Sequence, residues 1–177
     1  MLTTRPKRKL QEASFLLTRL REEAGKDSEA FCYYLSAFLA AADSVIDIGR
    51  REVGIKIADF NAWKTALDAS KLELLCFMTK QRNAELHQDG ADIVVEPRAT
   101  PVTFYPHVEA LPIQILLSAA TEHGPGGPHG LAEWLRVWVP TPEHVFRKTA
   151  DTAPVLRECG RYYDVVSKFL KWAESKH

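Results

Sequence analysis

Three residues within one short stretch, RNAELH at positions 82–87, are of types capable of chemistry: Arg82, Asn83 and His87. A histidine titrates near neutrality, so His87 can take up or release a proton. An arginine offers a planar fork of donors, so Arg82 can hold an anion or stabilise charge that builds on one. Asn83 precedes His87 by one helical turn and can orient its ring. The chemistry this trio suits is proton transfer beside an anion.

The element that must position them is residues 71–90, KLELLCFMTKQRNAELHQDG, whose spacing predicts a helix. Projected at about 100° per residue from Leu72, the residues Leu75, Cys76, Thr79, Arg82, Asn83, Leu86 and His87 cluster in one direction. Leu74, Phe77 and Met78 point the other way, so the first half of the helix is apolar nearly all round and is expected to be buried on two sides. On this projection Arg82, Asn83 and His87 continue an inward stripe, with Lys80 and Gln81 nearer solvent. Arg82 and His87 are five residues apart and diverge by about 140° around the axis. One helix does not bring them together. Two antiparallel copies can, one supplying the arginine and the other the histidine.

The rest of the chain reads as a frame for that helix. Leu10, Ala13, Leu16, Leu17 and Leu20 predict a first helix over 8–24, stopped by Gly25, with Asp27 or Ser28 capping the next. Phe31, Tyr34, Leu35, Phe38, Ala42, Val45, Ile46 and Gly49 form a wide apolar stripe over 29–53, a core helix of a bundle. A short helix over 59–70 is expected to start at Asp59 as its cap and to close the bundle with Phe60 and Trp63. Leu156, Cys159, Tyr162, Tyr163, Val166, Phe169, Leu170 and Ala173 predict a strong last helix over 155–174. Between 91 and 140 the composition changes. Eight of the ten prolines fall between Pro97 and Pro142, too many for helix interiors. Short β-like runs at 92–95, 102–105, 113–120 and 131–139 predict a small antiparallel sheet there. Thr141-Pro142-Glu143 and Asp151-Thr152-Ala153-Pro154 read as helix starts.

At 177 residues the chain suits one domain with this insertion, large enough to bury a core. Lys plus Arg equals Asp plus Glu at 23 each, which removes any general electrostatic attraction to nucleic acid and leaves only local contact. The basic residues Arg5, Lys7, Arg8 and Lys9 read as a solvated terminus, with phosphate binding as the sharper alternative. Cys32, Cys76 and Cys159 are scattered and odd in number, which fits buried thiols in a reducing compartment better than a disulfide frame. HGPGGPHG at 123–130 lacks the Lys-Ser/Thr of a phosphate-binding loop, and its His123 and His129, with His107, have no carboxylate or cysteine at ligand spacing. No metal or cofactor is expected. The N-terminus lacks the apolar core of a secretory signal, and the longest apolar run, at 31–42, is shorter than the roughly 20 residues of a membrane span. A cytoplasmic protein with no membrane partner is expected.

Arg82-Asn83-Ala84-Glu85-Leu86-His87, R-N-x-x-x-H, resembles the signature of the HEPN superfamily (higher eukaryote and prokaryote nucleotide-binding): Arg, four to six residues, then His, often with a polar residue after the Arg. The setting is similar as well, since AFLAAADSVID at 37–47 lies in a long second helix ahead of the motif helix. The resemblance covers residues 8–90 and 151–175 and leaves out the sheet-like insertion. It implies a mainly α fold, an up-and-down HEPN-like bundle; with the β-rich insertion that the residues themselves predict at about 91–140, between the third and last long helices, the single domain spans 1–177. It also implies a homodimer with two motifs face to face, acting as a metal-independent endoribonuclease on RNA. His87 would be general acid or base toward a ribose 2′-OH or a leaving 5′-oxygen, Arg82 would stabilise phosphate charge, and Asn83 would orient one or the other. Toxin–antitoxin or phage-defence roles are common for such proteins.

Two other readings stay open. In the first, Arg82, Asn83 and His87 are a structural polar network, with Glu85 pairing Arg82, inside a non-catalytic interaction module. Its partner would be an antitoxin or a nucleotidyltransferase-like protein. In the second, a small molecule or nucleotide binds between helices.

Overall fold

The structure, a computed structural model, describes residues 4–26, 29–87, 91, 93–104, 121–123, 135–147 and 152–176. The protein is mainly helical with a small antiparallel sheet. Five helices, α1 (Thr4–Glu23), α2 (Glu29–Val53), α3 (Ile57–Thr65), α4 (Ala69–His87) and α5 (Val155–Glu174), belong to one compact unit made of Met1–Val95 and His144–His177. A second unit, Glu96–Glu143, carries most of the strand residues.

In the helical unit α2 is the hub, packing against α1, α4 and α5. Its predicted stripe is largely inside: Phe31, Leu35, Phe38, Ala42, Val45 and Ile46 are buried and Tyr34 is half-buried, and Leu39, outside the predicted stripe, is buried too. By length and hydropathy α2 is the one described helix able to cross a membrane, yet 44% of its most apolar window is buried inside the protein. That is the profile of a core helix wrapped by its neighbours. Gly25 ends the α1 turn region at φ 80, a left-handed conformation that favours glycine. Gly49 does something different. A Cβ there would lie 3.1 Å from Cε1 of Phe169, so the missing side chain lets α5 approach α2. Phe169 is itself held edge-on by Trp63 at 5.0 Å and by Phe60 at 5.8 Å between ring centroids, which ties α3 to the same core.

On α5, Glu158 is 1% exposed and is neutralised by Arg157 at 3.0 Å and Arg161 at 2.9 Å. Burial of a carboxylate is tolerable only with such partners. The basic start of α1 is likewise balanced: Lys7 meets Glu174 at 2.7 Å, Lys9 meets Glu12 at 2.8 Å, and Arg5 lies 4.0 Å from Glu52. With acids on the cluster, phosphate binding there loses its electrostatic basis.

Several boundaries differ from the sequence-based expectation. Asp59 does not cap α3. The helix starts two residues earlier behind an extended Lys56, and Asp59 lies in its first turn, where a negative charge still favours the exposed N–H groups. Asp68, immediately before α4, accepts the backbone N–H of Lys71 at 2.9 Å, a side-chain cap. Asp27 and Ser28 lie outside the described residues. Cys32 and Cys76 are exposed, and only Cys159 is a buried thiol.

The expected pair of strands at 92–95 and 102–105 is one strand, β1 (Ile93–Phe104), and the run at 113–120 lies outside the described residues. β2 is Thr121–His123, β3 is Leu135–Arg147 and β4 is Thr152–Pro154. The order is β1-β3-β2, with β4 also on β3. Within the second unit β2 and β3 are antiparallel, with Thr121 opposite Val137 and His123 opposite Leu135. Thr141 is not a helix start: β3 runs through it, its hydroxyl lies 2.6 Å from that of Thr100, and Arg98 meets Glu143 at 2.7 Å. Cross-strand partners of this kind hold Thr141 and Glu143 extended where Thr-Pro-Glu alone would allow a helix. Thr152 likewise pairs with Arg147 in β4 rather than capping, and α5 begins after Pro154. In the helical unit, the end of β3 places Phe146 edge-on to Phe77 at 5.3 Å and stacks His144 on Phe31 at 3.8 Å between centroids.

Candidate functional site

Helix α4 is where the candidate site is built, and its buried face is not the one its sequence projection indicates. Leu74, Leu75, Met78 and Gln81 are the residues with 8% exposure or less. Their i, i+4, i+7 spacing marks the true inward direction, between α2 and α5. Gln81, expected near solvent, is inside, while Cys76 and Asn83, expected inside, are exposed. Arg82 lies about 40° from the centre of that face, on its edge. The all-round apolar first half of the helix gives the projection no firm direction, and packing against α2 and α5 decides it.

From this edge the Arg82 guanidinium reaches two ways. Its buried Nε lies 3.5 Å from Oδ2 of Asp43 on α2, the two side chains being 33% and 24% exposed. Its Nη1 donates to Oδ1 of the exposed Asn83 at 3.1 Å. One edge of the fork is thus anchored inside and another stands at the surface beside Asn83. Glu85 does not take Arg82, as the network reading would have it: its Oε1 accepts the backbone N–H of Ala91 at 2.9 Å and fastens the chain after the helix.

Two residues not singled out by motif complete the cluster. Asp43 sits in an alanine-rich apolar run, at the margin of the buried stripe of α2. Burial pushes its carboxyl above the usual range, Arg82 pulls it back down, and neighbouring Asp47 pushes it up again. Tyr162 of α5 is 1% exposed, and its hydroxyl has no hydrogen-bond partner among the described residues. Burial raises its pKa first, the negative field of Asp43 raises it further, and Arg82 opposes both. Its phenol is therefore neutral. Asp43, Arg82 and Tyr162 bring polar groups of three helices together at the margin of the core. The signal for Asp43 was readable: a lone acid between Ala42 and Val45, both of which are buried.

His87 is the last residue of α4, and its side chain lies outside the described residues. The structure therefore joins Arg82 to Asn83 and adds Asp43, and places His87 one helical turn beyond them along the backbone. Of the three histidines weighed as metal ligands, His107 and His129 lie outside the described residues and His123 ends β2. Among the described residues no group of three or more His, Cys, Asp or Glu side chains could hold a metal ion. What the arrangement can do is present a fixed guanidinium edge, with an amide beside it, to an anion. No protein-family model, curated protein or solved structure matches this chain.

Proposed function

We propose that the protein is a metal-independent endoribonuclease of the HEPN type, working in the cytoplasm as a homodimer. The observation that supports this best is the placement of Arg82: its guanidinium is ion-paired with Asp43 at 3.5 Å, without a hydrogen bond at the buried Nε among the described residues, while Nη1 donates to Asn83 at the surface. An arginine anchored in this way keeps its remaining donors oriented for a phosphate without paying to order them at each turnover. In the proposed reaction His87 removes the proton of a ribose 2′-OH. The 2′-oxygen then attacks the adjacent phosphorus and the P–O5′ bond breaks. The leaving 5′-oxygen is protonated by the second histidine of the dimer, or by His87 itself once protonated. The products are a 2′,3′-cyclic phosphate and a 5′-hydroxyl, so DNA is not a substrate. Arg82 and His87 diverge around one helix, and the site is complete only when a second copy faces it.

A specific observation favours the second reading as well. The ion pair of Arg82 with Asp43 at 3.5 Å is a cross-helix contact of the kind a structural network pinning α4 to α2 would use. Under that reading the protein is an interaction module and its partner, an antitoxin or nucleotidyltransferase-like protein, is the functional element. Light scattering on the purified chain separates the two. The ribonuclease requires a dimer at working concentration, and a strict monomer with no cleavage of RNA leaves the interaction module.

A further inference from the structure

A cleft of ≈ 470 Å³ opens between α2, α3 and α4, with Asp43 among its lining residues. Its size lies within the roughly 300–1,000 Å³ of small-molecule sites. Ile46, Leu75 and Phe60 give it an apolar floor, and Arg50, Lys64 and Lys80, one from each helix, stand on its walls. Two of the cations already crowd one ring: Lys64 Nζ lies 5.0 Å and Arg50 Cζ 5.5 Å from the Phe60 centroid. The acids that also line the cleft are occupied. Asp47 is held by Arg51 and lies 3.8 Å from Arg50, and Asp43 pairs with Arg82. Among the described residues Lys64 and Lys80 have no ion-pair partner. An apolar pocket with two unpaired ammonium groups at its rim discriminates in favour of one ligand chemistry.

We infer that this cleft binds a small amphipathic anion, an apolar body with one carboxylate or phosphate head, the body on Ile46, Leu75 and Phe60 and the head between Lys64 and Lys80. The inference stands apart from RNA cleavage, since Arg82 does not line the cleft. Cys76, exposed and on the cleft wall, is a built-in reporter. The experiment measures alkylation of each cysteine by N-ethylmaleimide in the intact protein, peptide by peptide, with octanoate, octyl phosphate, octyltrimethylammonium or acetate present. Octanoate, octyl phosphate or both are expected to slow Cys76 alkylation at least fivefold and to leave Cys32 unchanged, the better of the two identifying the head. Lys64→Ala with Lys80→Ala, the first side chain half-buried and the second exposed, is expected to raise the half-protecting concentration about tenfold, which is what loss of two solvent-screened ionic contacts gives. Protection by octyltrimethylammonium equal to that by the anions, protection by acetate alone, or no protection by any of the four overturns the inference. So does calorimetry that detects no heat of binding with either octanoate or octyl phosphate.

Discussion

Arg82 of α4 and Asp43 of α2 form an ion pair across the helix interface, Nε to Oδ2 at 3.5 Å, on the margin of the core. The pair is not ideal for stability. Burial raises the Asp43 pKa more than Arg82 lowers it, so the carboxylate costs the fold more than its partner returns. A group retained at such a cost is a reasonable place to look for function.

The pH dependence of stability follows from the sign of that shift. The folded-state pKa of Asp43 is raised above its ordinary 3.8, so between those two values the native state binds more protons than the unfolded one. Stability therefore falls as pH rises through that window and is lower above it. Asp43→Asn removes this contribution. Melting temperatures across pH 4 to about 7 are expected to fall less with rising pH in the variant than in the parent, a difference that differential scanning calorimetry reads directly.

Gly49 tests the close approach of α2 and α5. Alanine gains about 1 kcal/mol of helix propensity over glycine. Its Cβ, however, would stand 3.1 Å from a Phe169 ring wedged among Trp63, Phe60 and Trp172, with little room to yield. Overpacking of this kind costs about 1–3 kcal/mol. Gly49→Ala is expected to be close to neutral or slightly destabilising, and Gly49→Val, with two further methyl groups, to lose about 2–3 kcal/mol in urea unfolding. Stabilisation by valine would show that the helices are not in tight contact.

Glu158 offers an asymmetric test. Removing both its arginines leaves a carboxylate with 1% exposure and no cation, whereas removing Glu158 leaves two arginines whose side chains are 61% and 42% exposed and remain hydrated. Arg157→Ala with Arg161→Ala is expected to cost about 3 kcal/mol, near the lower limit for breaking a buried pair. Glu158→Gln is expected to cost less. Equal losses by denaturant titration would contradict this reading of the burial.

Thiol chemistry divides the cysteines. Cys32 and Cys76 are exposed, while Cys159 is buried and its thiol is pushed far above its usual range, first by desolvation and then by Glu158. Native protein without ligand is expected to take up two equivalents of N-ethylmaleimide, and denatured protein three, as counted by intact mass.

The long helices were legible because their apolar residues recur on one face: Leu35, Phe38, Ala42 and Val45 in α2, and Cys159, Tyr162, Val166, Phe169, Leu170 and Ala173 in α5, are buried as their spacing requires, while Leu156 and Tyr163 are half-buried. The face of α4 was not legible, since Leu72, Leu74, Leu75, Phe77 and Met78 surround the helix and leave its orientation to its neighbours. The strand through Thr141 was hidden for another reason. Thr-Pro-Glu carries a local helix-start signal, and the partners that override it, Thr100 and Arg98, are about 40 residues away. At the site, Arg82 and Asn83 were evident from their types and spacing. Their link to Asp43 depends on how α2 and α4 pack, which no local pattern records.

The central claim is tested most directly by cleavage of single-stranded RNA with purified, chelator-treated protein, comparing the parent chain with His87→Ala. The account predicts fragments ending in 2′,3′-cyclic phosphate and 5′-hydroxyl from the parent, and a loss of at least about 100-fold in rate on removing the general acid–base group. Cleavage that continues undiminished in His87→Ala, or that stops in the parent when divalent metal is removed, would contradict it.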